Sequence, residues 1–128
     1  RLLATDISNR AMTAAKKGVY ELPDTIPPDW KKKYFIPHSG GQYQVAPRVR
    51  DNVIFQPFNL MDPIKFRRKF DVIFCRNVMI YFDQPTKDAL VRRFYDATAP
   101  GGYLLISKSE NLSANMPYRR LAPSTFQK

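Results

Sequence analysis

The sequence predicts an α/β fold, and three observations carry the prediction. Short apolar runs, Leu2–Thr5, Val72–Cys75 and Tyr103–Ser107, each give way to polar or charged residues, as strands of a buried sheet do at their carboxyl ends. Segments of helical periodicity with end signals lie between them, from Ser8 to Lys17 and from Asp83 to Ala97. With 128 residues, 44% hydrophobic and 25% charged, the chain has the size and composition of one ordinary globular domain.

In chain order, Leu2–Thr5 reads as a strand ending in Asp6, and Ser8 opens a helix rich in Ala and Lys. Gly18 stops that helix, with Lys16 and Lys17 in its last turn. Residues 19 to 33 are an irregular connection containing Pro23, Pro27 and Pro28; Pro28-Asp29-Trp30 starts a short helix that puts Trp30 and Tyr34 on one face. Tyr34–Ile36 and Tyr43–Val45 read as short strands around the turn formers Pro37–Gly41, with Val53–Phe55 as a third strand candidate for the same small sheet. The run from Val53 to Phe58 also reads as a strand whose carboxyl end leads into Asn59 and Leu60.

Val72–Cys75 is too short for a helix and reads as a strand buried on both faces. Arg76 and Asn77 follow where ligands of open α/β sheets bind, and the apolar patch Val78–Phe82 leads to a helix capped by Asp83 with Pro85 in its first turn. Ala89, Leu90, Val91, Phe94 and Ala97 form that helix's apolar stripe, Lys87, Arg92 and Arg93 face out, and Pro100-Gly101-Gly102 ends it. Tyr103–Ser107 is a further buried strand, and Tyr118–Leu121 with Ser124–Gln127 is a closing hairpin turned at Pro123.

Several function classes are excluded or demoted. No apolar run approaches the roughly 20 residues of a membrane-spanning helix, and the first residues do not read as a signal peptide. One Cys and one His make neither an internal disulfide nor a zinc site, and suit a reducing cytoplasm. The net charge of +10 is read as a solvated surface or as a match for an acidic protein partner. Nucleic acid ranks behind both, because no recognised nucleic-acid motif is present.

The phrase Phe74-Cys75-Arg76-Asn77-Val78-Met79-Ile80-Tyr81-Phe82, together with Ala4-Thr5-Asp6-Ile7 and Asn59-Leu60, resembles the chemotaxis receptor methyltransferases, which methylate receptor glutamates from S-adenosylmethionine. The resemblance covers most of the chain. It implies a Rossmann-like class I methyltransferase fold over residues 1–128, with a small antiparallel β subdomain inserted at about residues 30–56 that docks receptor. Asp6 is open to two readings: residue type alone favours a helix cap, and the resemblance favours a carboxylate holding the hydroxyls of the cofactor ribose. The resemblance also puts Asn59 and Leu60 beside the adenine, Arg76 and Asn77 along the cofactor pocket, and Tyr81 at the methyl group or substrate. A tight turn with Tyr81 as plain core is the alternative for that segment. Lys108 stands where the family usually has His. Cys75 is not a nucleophile candidate.

By the same resemblance, the first strand, its Gly-rich turn and a helical front domain are not in this sequence, since the five glycines are used elsewhere. The fold is therefore expected to be incomplete. The Leu3 and Val72 strands would each lack a neighbour, which invites self-association or strand exchange, and the chain by itself would be inactive. The expected partner is the acidic cytoplasmic region of a chemotaxis receptor, with S-adenosylhomocysteine as the cofactor product. The competing readings are a non-catalytic receptor-docking module and a basic nucleic-acid-binding domain.

Overall fold

A computed structural model describes residues 1–128. The chain forms two compact units, Arg1–Asn59 and Leu60–Lys128.

In the first unit, β1 (Leu2–Asp6) pairs in parallel with β5 (Val53–Pro57), Leu2 opposite Val53 and Asp6 opposite Pro57. The crossover begins with helix α1 (Asn9–Lys17), which lies against both strands and buries Met12. Its ends obey local chemistry. The Ser8 hydroxyl accepts the Ala11 N–H at 3.2 Å, and the Gly18 N–H donates to the Ala14 carbonyl at 3.0 Å. Gly18 has φ 66°, a left-handed conformation that glycine adopts without the penalty a Cβ brings.

The rest of this unit is a three-stranded antiparallel sheet of β2 (Val19–Tyr20), β3 (Phe35–Pro37) and β4 (Tyr43–Val45), with β4 in the middle. Helices α2 (Pro28–Tyr34) and α3 (Pro47–Arg50) each carry Pro in the first turn, where a missing N–H costs nothing. Trp30 and Tyr34 meet edge to face with centroids 6.4 Å apart. Arg50 donates to the Lys16 carbonyl at 2.9 Å, placing a cation at the end of α1. Here the sequence expectation is corrected: Val53–Phe55 is not the third strand of the small sheet. Both edges of β4 are already filled, by Val19–Tyr20 and by Phe35–Pro37, whereas β1 offers Leu3 and Ala4 opposite Ile54 and Phe55.

In the second unit, β6 (Phe70–Cys75) pairs in parallel with β7 (Thr98–Ile106) across helix α4 (Gln84–Ala97). An antiparallel hairpin of β8 (Arg119–Ala122) and β9 (Thr125–Gln127) completes the strand order β6-β7-β9-β8. The core joins Leu90, Val91 and Phe94 of α4 to Cys75, Leu104, Ile106, Met79, Met116, Tyr118 and Phe126. Asp83 caps α4, accepting the Thr86 N–H at 2.9 Å. Thr98, fully buried, donates to the Phe94 carbonyl at 2.6 Å, which leaves the Tyr118 hydroxyl to donate to Thr98, also at 2.6 Å.

Three further expectations are corrected in this unit. β6 is not buried on both faces: Cys75 is 5% exposed, but Val72 is 42% and Phe74 69% exposed, so the run obeys the two-residue alternation of a strand covered on one face. On α4, Ala89 is exposed and Arg93 is half-buried, where its Nη2 donates to the Leu60 carbonyl at 2.6 Å. The helix ends at Ala97, and Pro100-Gly101-Gly102 lies inside β7. Gly102 is needed there because a Cβ would stand 2.7 Å from the Thr98 methyl and 2.9 Å from the Asp71 carbonyl oxygen. β1 and β6 are each hydrogen-bonded to a single neighbouring strand.

Candidate functional site

Asp6 and Asn59 in the first unit, and Arg76 and Asn77 in the second, stand at or just beyond the carboxyl ends of a parallel strand pair, the position where ligands of open α/β sheets bind.

On the first unit, the Phe58 N–H donates to the Asp6 carbonyl at 3.1 Å and extends the β1–β5 ladder to its rim. The Asp6 carboxylate accepts the Ser8 N–H at 2.8 Å through one oxygen. Ser8, not Asp6, caps α1, so residue 6 is free of the capping role that its type suggests. The side chain is exposed, and its second oxygen is available to accept from hydroxyls. Asn59 ends the unit, half-buried, two residues beyond the end of β5.

On the second unit, Leu60 is half-buried against the core, held by the Arg93 bond to its carbonyl. Cys75 ends β6 and Arg76, exposed, follows it. Asn77 takes φ 60°, which Asn tolerates better than other non-glycine residues. Its backbone N–H donates to the Ser107 hydroxyl at 2.6 Å, and that hydroxyl donates to Asn77 Oδ1 at 3.0 Å. Ser107 is 3% exposed at the end of β7. Sequence reasoning gave Ser107 no part in the site. Its one signal was its place directly after an apolar strand, the same signal that singled out Arg76 and Asn77.

Tyr81 closes a single helical turn, Met79–Tyr81, whose Met79 is 2% exposed and anchors it in the core. Tyr81 itself is 80% exposed. The plain-core alternative for Tyr81 is overturned: the anchored turn holds up an aromatic ring and a hydroxyl in solvent.

Two neighbours complete the chemistry of the second edge. Burial, then the nearby Glu110 charge, push the Cys75 thiol up to about 11, so it stays protonated and poorly nucleophilic at neutral pH. The Glu110 N–H donates to the Ser107 carbonyl at 3.1 Å, and both carboxylate oxygens are buried without a hydrogen-bond partner. No group of three or more His, Cys, Asp or Glu side chains is arranged to hold a metal ion. A cavity of about 120 Å³ in this unit, lined by Ile64, Arg67, Arg68 and Ala97 among others, includes none of the candidate residues. No helix is long and apolar enough to cross a membrane.

The edges can do defined chemistry. Asp6 supplies an anionic acceptor, Asn77 a carboxamide with one end already committed, and Tyr81 an exposed donor on a rigid turn.

Comparison with known proteins gives one consistent result. Residues 1–127 match the family model described as CheR methyltransferase, SAM binding domain. The chain is 38% identical over 131 residues to a chemotaxis protein methyltransferase of Borreliella burgdorferi, covering 100% of this chain and 46% of that protein. It is 38% identical to chemotaxis protein methyltransferase 1 of Pseudomonas aeruginosa, covering 91% and 43% of the two chains. It is 40% identical to a chemotaxis protein methyltransferase of Klebsiella aerogenes, covering 86% and 40%. The chain thus spans less than half the length of these curated relatives.

Proposed function

Because the chain belongs to the CheR methyltransferase family, as its S-adenosylmethionine-binding domain, we propose that it serves an enzyme that methylates glutamate side chains of chemotaxis receptors. The observation that carries the proposal is the family match over residues 1–127. The carboxyl-edge location of Asp6, Asn59, Arg76 and Asn77 supports it.

S-adenosylmethionine, when bound, supplies a methyl group made electrophilic by its sulfonium. The residues present fit such a group. The Asp6 oxygen not used by Ser8 accepts from the ribose hydroxyls, as an anionic acceptor does well. Asn59 hydrogen-bonds the base, and Leu60 offers apolar surface to it. Arg76 and Asn77 line the remainder, and Tyr81 orients the incoming substrate carboxylate.

A glutamate side chain has a pKa of about 4.3 and arrives ionised at neutral pH. No residue has to take a proton from it. The contribution of the protein is alignment of attacking oxygen, methyl carbon and sulfur, with donors such as Tyr81 steadying the carboxylate. The positive charge of the chain favours encounter with an acidic receptor segment, in the cytoplasm where such receptor regions lie, and salt weakens that steering.

The test is methyl transfer itself. A full-length protein carrying this chain is incubated with methyl-labelled S-adenosylmethionine and a receptor cytoplasmic region, then treated with alkali. A glutamyl methyl ester releases labelled methanol. Label that resists alkali, or no label under conditions where S-adenosylhomocysteine binds, contradicts the proposal.

A further inference from the structure

We infer that Ser107 is a positioning residue that fixes the Asn77 side chain with its NH2 end presented to the ligand, so that this edge selects a hydrogen-bond acceptor over a donor. The inference rests on the reading of Asn77 as a cofactor-binding residue and deepens it.

The geometry leaves Ser107 little freedom. Its hydroxyl oxygen accepts the Asn77 backbone N–H at 2.6 Å, and its own proton needs an acceptor because the residue is 3% exposed. A buried hydroxyl proton without a partner is costly. The atom that answers it, at 3.0 Å, is Asn77 Oδ1. A carboxamide whose oxygen is committed points its two N–H groups the other way. The same pair of bonds holds the backbone at φ 60°, a conformation that would otherwise compete with more ordinary ones.

The register explains why Ser107 can do this. Cys75 stands opposite Ile106 in the parallel ladder. The residues after each strand end are therefore neighbours, and the buried hydroxyl at the end of β7 reaches the turn at the end of β6. Asn77 is exposed, so its N–H groups reach solvent or ligand rather than protein. An acceptor such as a purine ring nitrogen or a ribose oxygen satisfies them. An ammonium or other pure donor does not.

The experiment uses Ser107→Ala, Ser107→Thr and Asn77→Ala with two readouts. The first is hydrogen exchange at the Asn77 backbone amide without ligand. Protection is expected in the unsubstituted protein and in S107T, which keeps the hydroxyl, and is expected to be lost in S107A. The second is calorimetric affinity for S-adenosylhomocysteine and for its 1-, 3- and 7-deaza analogues. S107A is expected to weaken S-adenosylhomocysteine by about three- to tenfold, the range of one hydrogen bond. It is expected to add nothing in an N77A background, because the two residues act as one unit. A single deaza analogue whose loss disappears in N77A identifies a ring nitrogen as the acceptor; equal affinity for all of them identifies the ribose. Unchanged exchange and affinity in S107A overturn the inference and leave the cofactor reading standing. No binding to the unsubstituted protein overturns both.

Discussion

The Asp6 carboxylate accepts the Ser8 N–H at 2.8 Å, and the capping of α1 is left to the Ser8 hydroxyl. The two side chains therefore separate by role, and substitution distinguishes them. Asp6→Asn keeps an acceptor for Ser8 but loses the anionic one. It is expected to leave the melting temperature nearly unchanged and to weaken S-adenosylhomocysteine by about tenfold or more, the scale of a charged hydrogen bond. Ser8→Ala is expected to cost about 1 kcal/mol of stability and to leave affinity intact. Calorimetry and thermal unfolding of both variants check the separation.

Tyr81 is 80% exposed on a turn pinned by Met79, so its side chain supports little of the fold. Y81F is expected to lower methyl transfer by about tenfold and Y81A by about a hundredfold. Melting temperature and S-adenosylhomocysteine affinity should stay at their unsubstituted values. A loss of cofactor affinity matching the loss of rate would instead place Tyr81 in the cofactor site.

The buried chain from Tyr118 through Thr98 to the Phe94 carbonyl makes unequal predictions for its members. Thr98→Val leaves the Tyr118 hydroxyl, in a residue 8% exposed, without its acceptor and is expected to cost about 1–3 kcal/mol. Tyr118→Phe removes only the end of the chain and is expected to cost less, about 1 kcal/mol. Gly102→Ala forces a Cβ to 2.7 Å from Thr98 and is expected to cost about 1–3 kcal/mol by overpacking. Urea unfolding of the three variants checks the order.

These elements also show what the residues alone could reveal. Helix ends were legible because Ser8, Gly18 and Asp83 act on backbone groups within four residues of themselves. The strand at Val72 was legible as a strand, but a continuous apolar run reads the same whichever faces are covered, so the exposure of Phe74 was not. The partner of Val53–Phe55 is not legible in the residues, because pairing is decided by distant strands: β4 has no free edge, and β1 does. Asp6, Asn59, Arg76 and Asn77 were visible as polar residues ending apolar strands. Ser107 meets the same description, but its role exists only once Cys75 lies opposite Ile106.

Stability is expected to fall at both ends of the pH range. Burial raises the Cys75 thiol from 9.0 to about 11 and the Tyr118 hydroxyl from 10.0 to about 12. With folded values above the unfolded ones, their contribution is full below pH 9 and drains away as pH rises toward 11 and 12. Asp83 and Asp88 are shifted the other way, below 3.8, by hydrogen bonds from Thr86 and from Ser113 and Gln84. Their contribution is present above that value and is lost as pH falls through the depressed folded values. Urea midpoints between pH 3 and 11 check both limbs, and D83N with D88N should flatten the acid limb alone. Reaction of Cys75 with an aromatic disulfide at pH 8 should be slow until urea unfolds the protein.

The most direct measurement is a titration of isotope-labelled protein with S-adenosylhomocysteine, followed by nuclear magnetic resonance. Saturable shifts at Asp6, Asn59, Leu60, Arg76 and Asn77, with the β8–β9 hairpin unmoved, are the predicted result. Saturable shifts confined to the three-stranded sheet of β2, β3 and β4, or no shifts at all, would contradict the account.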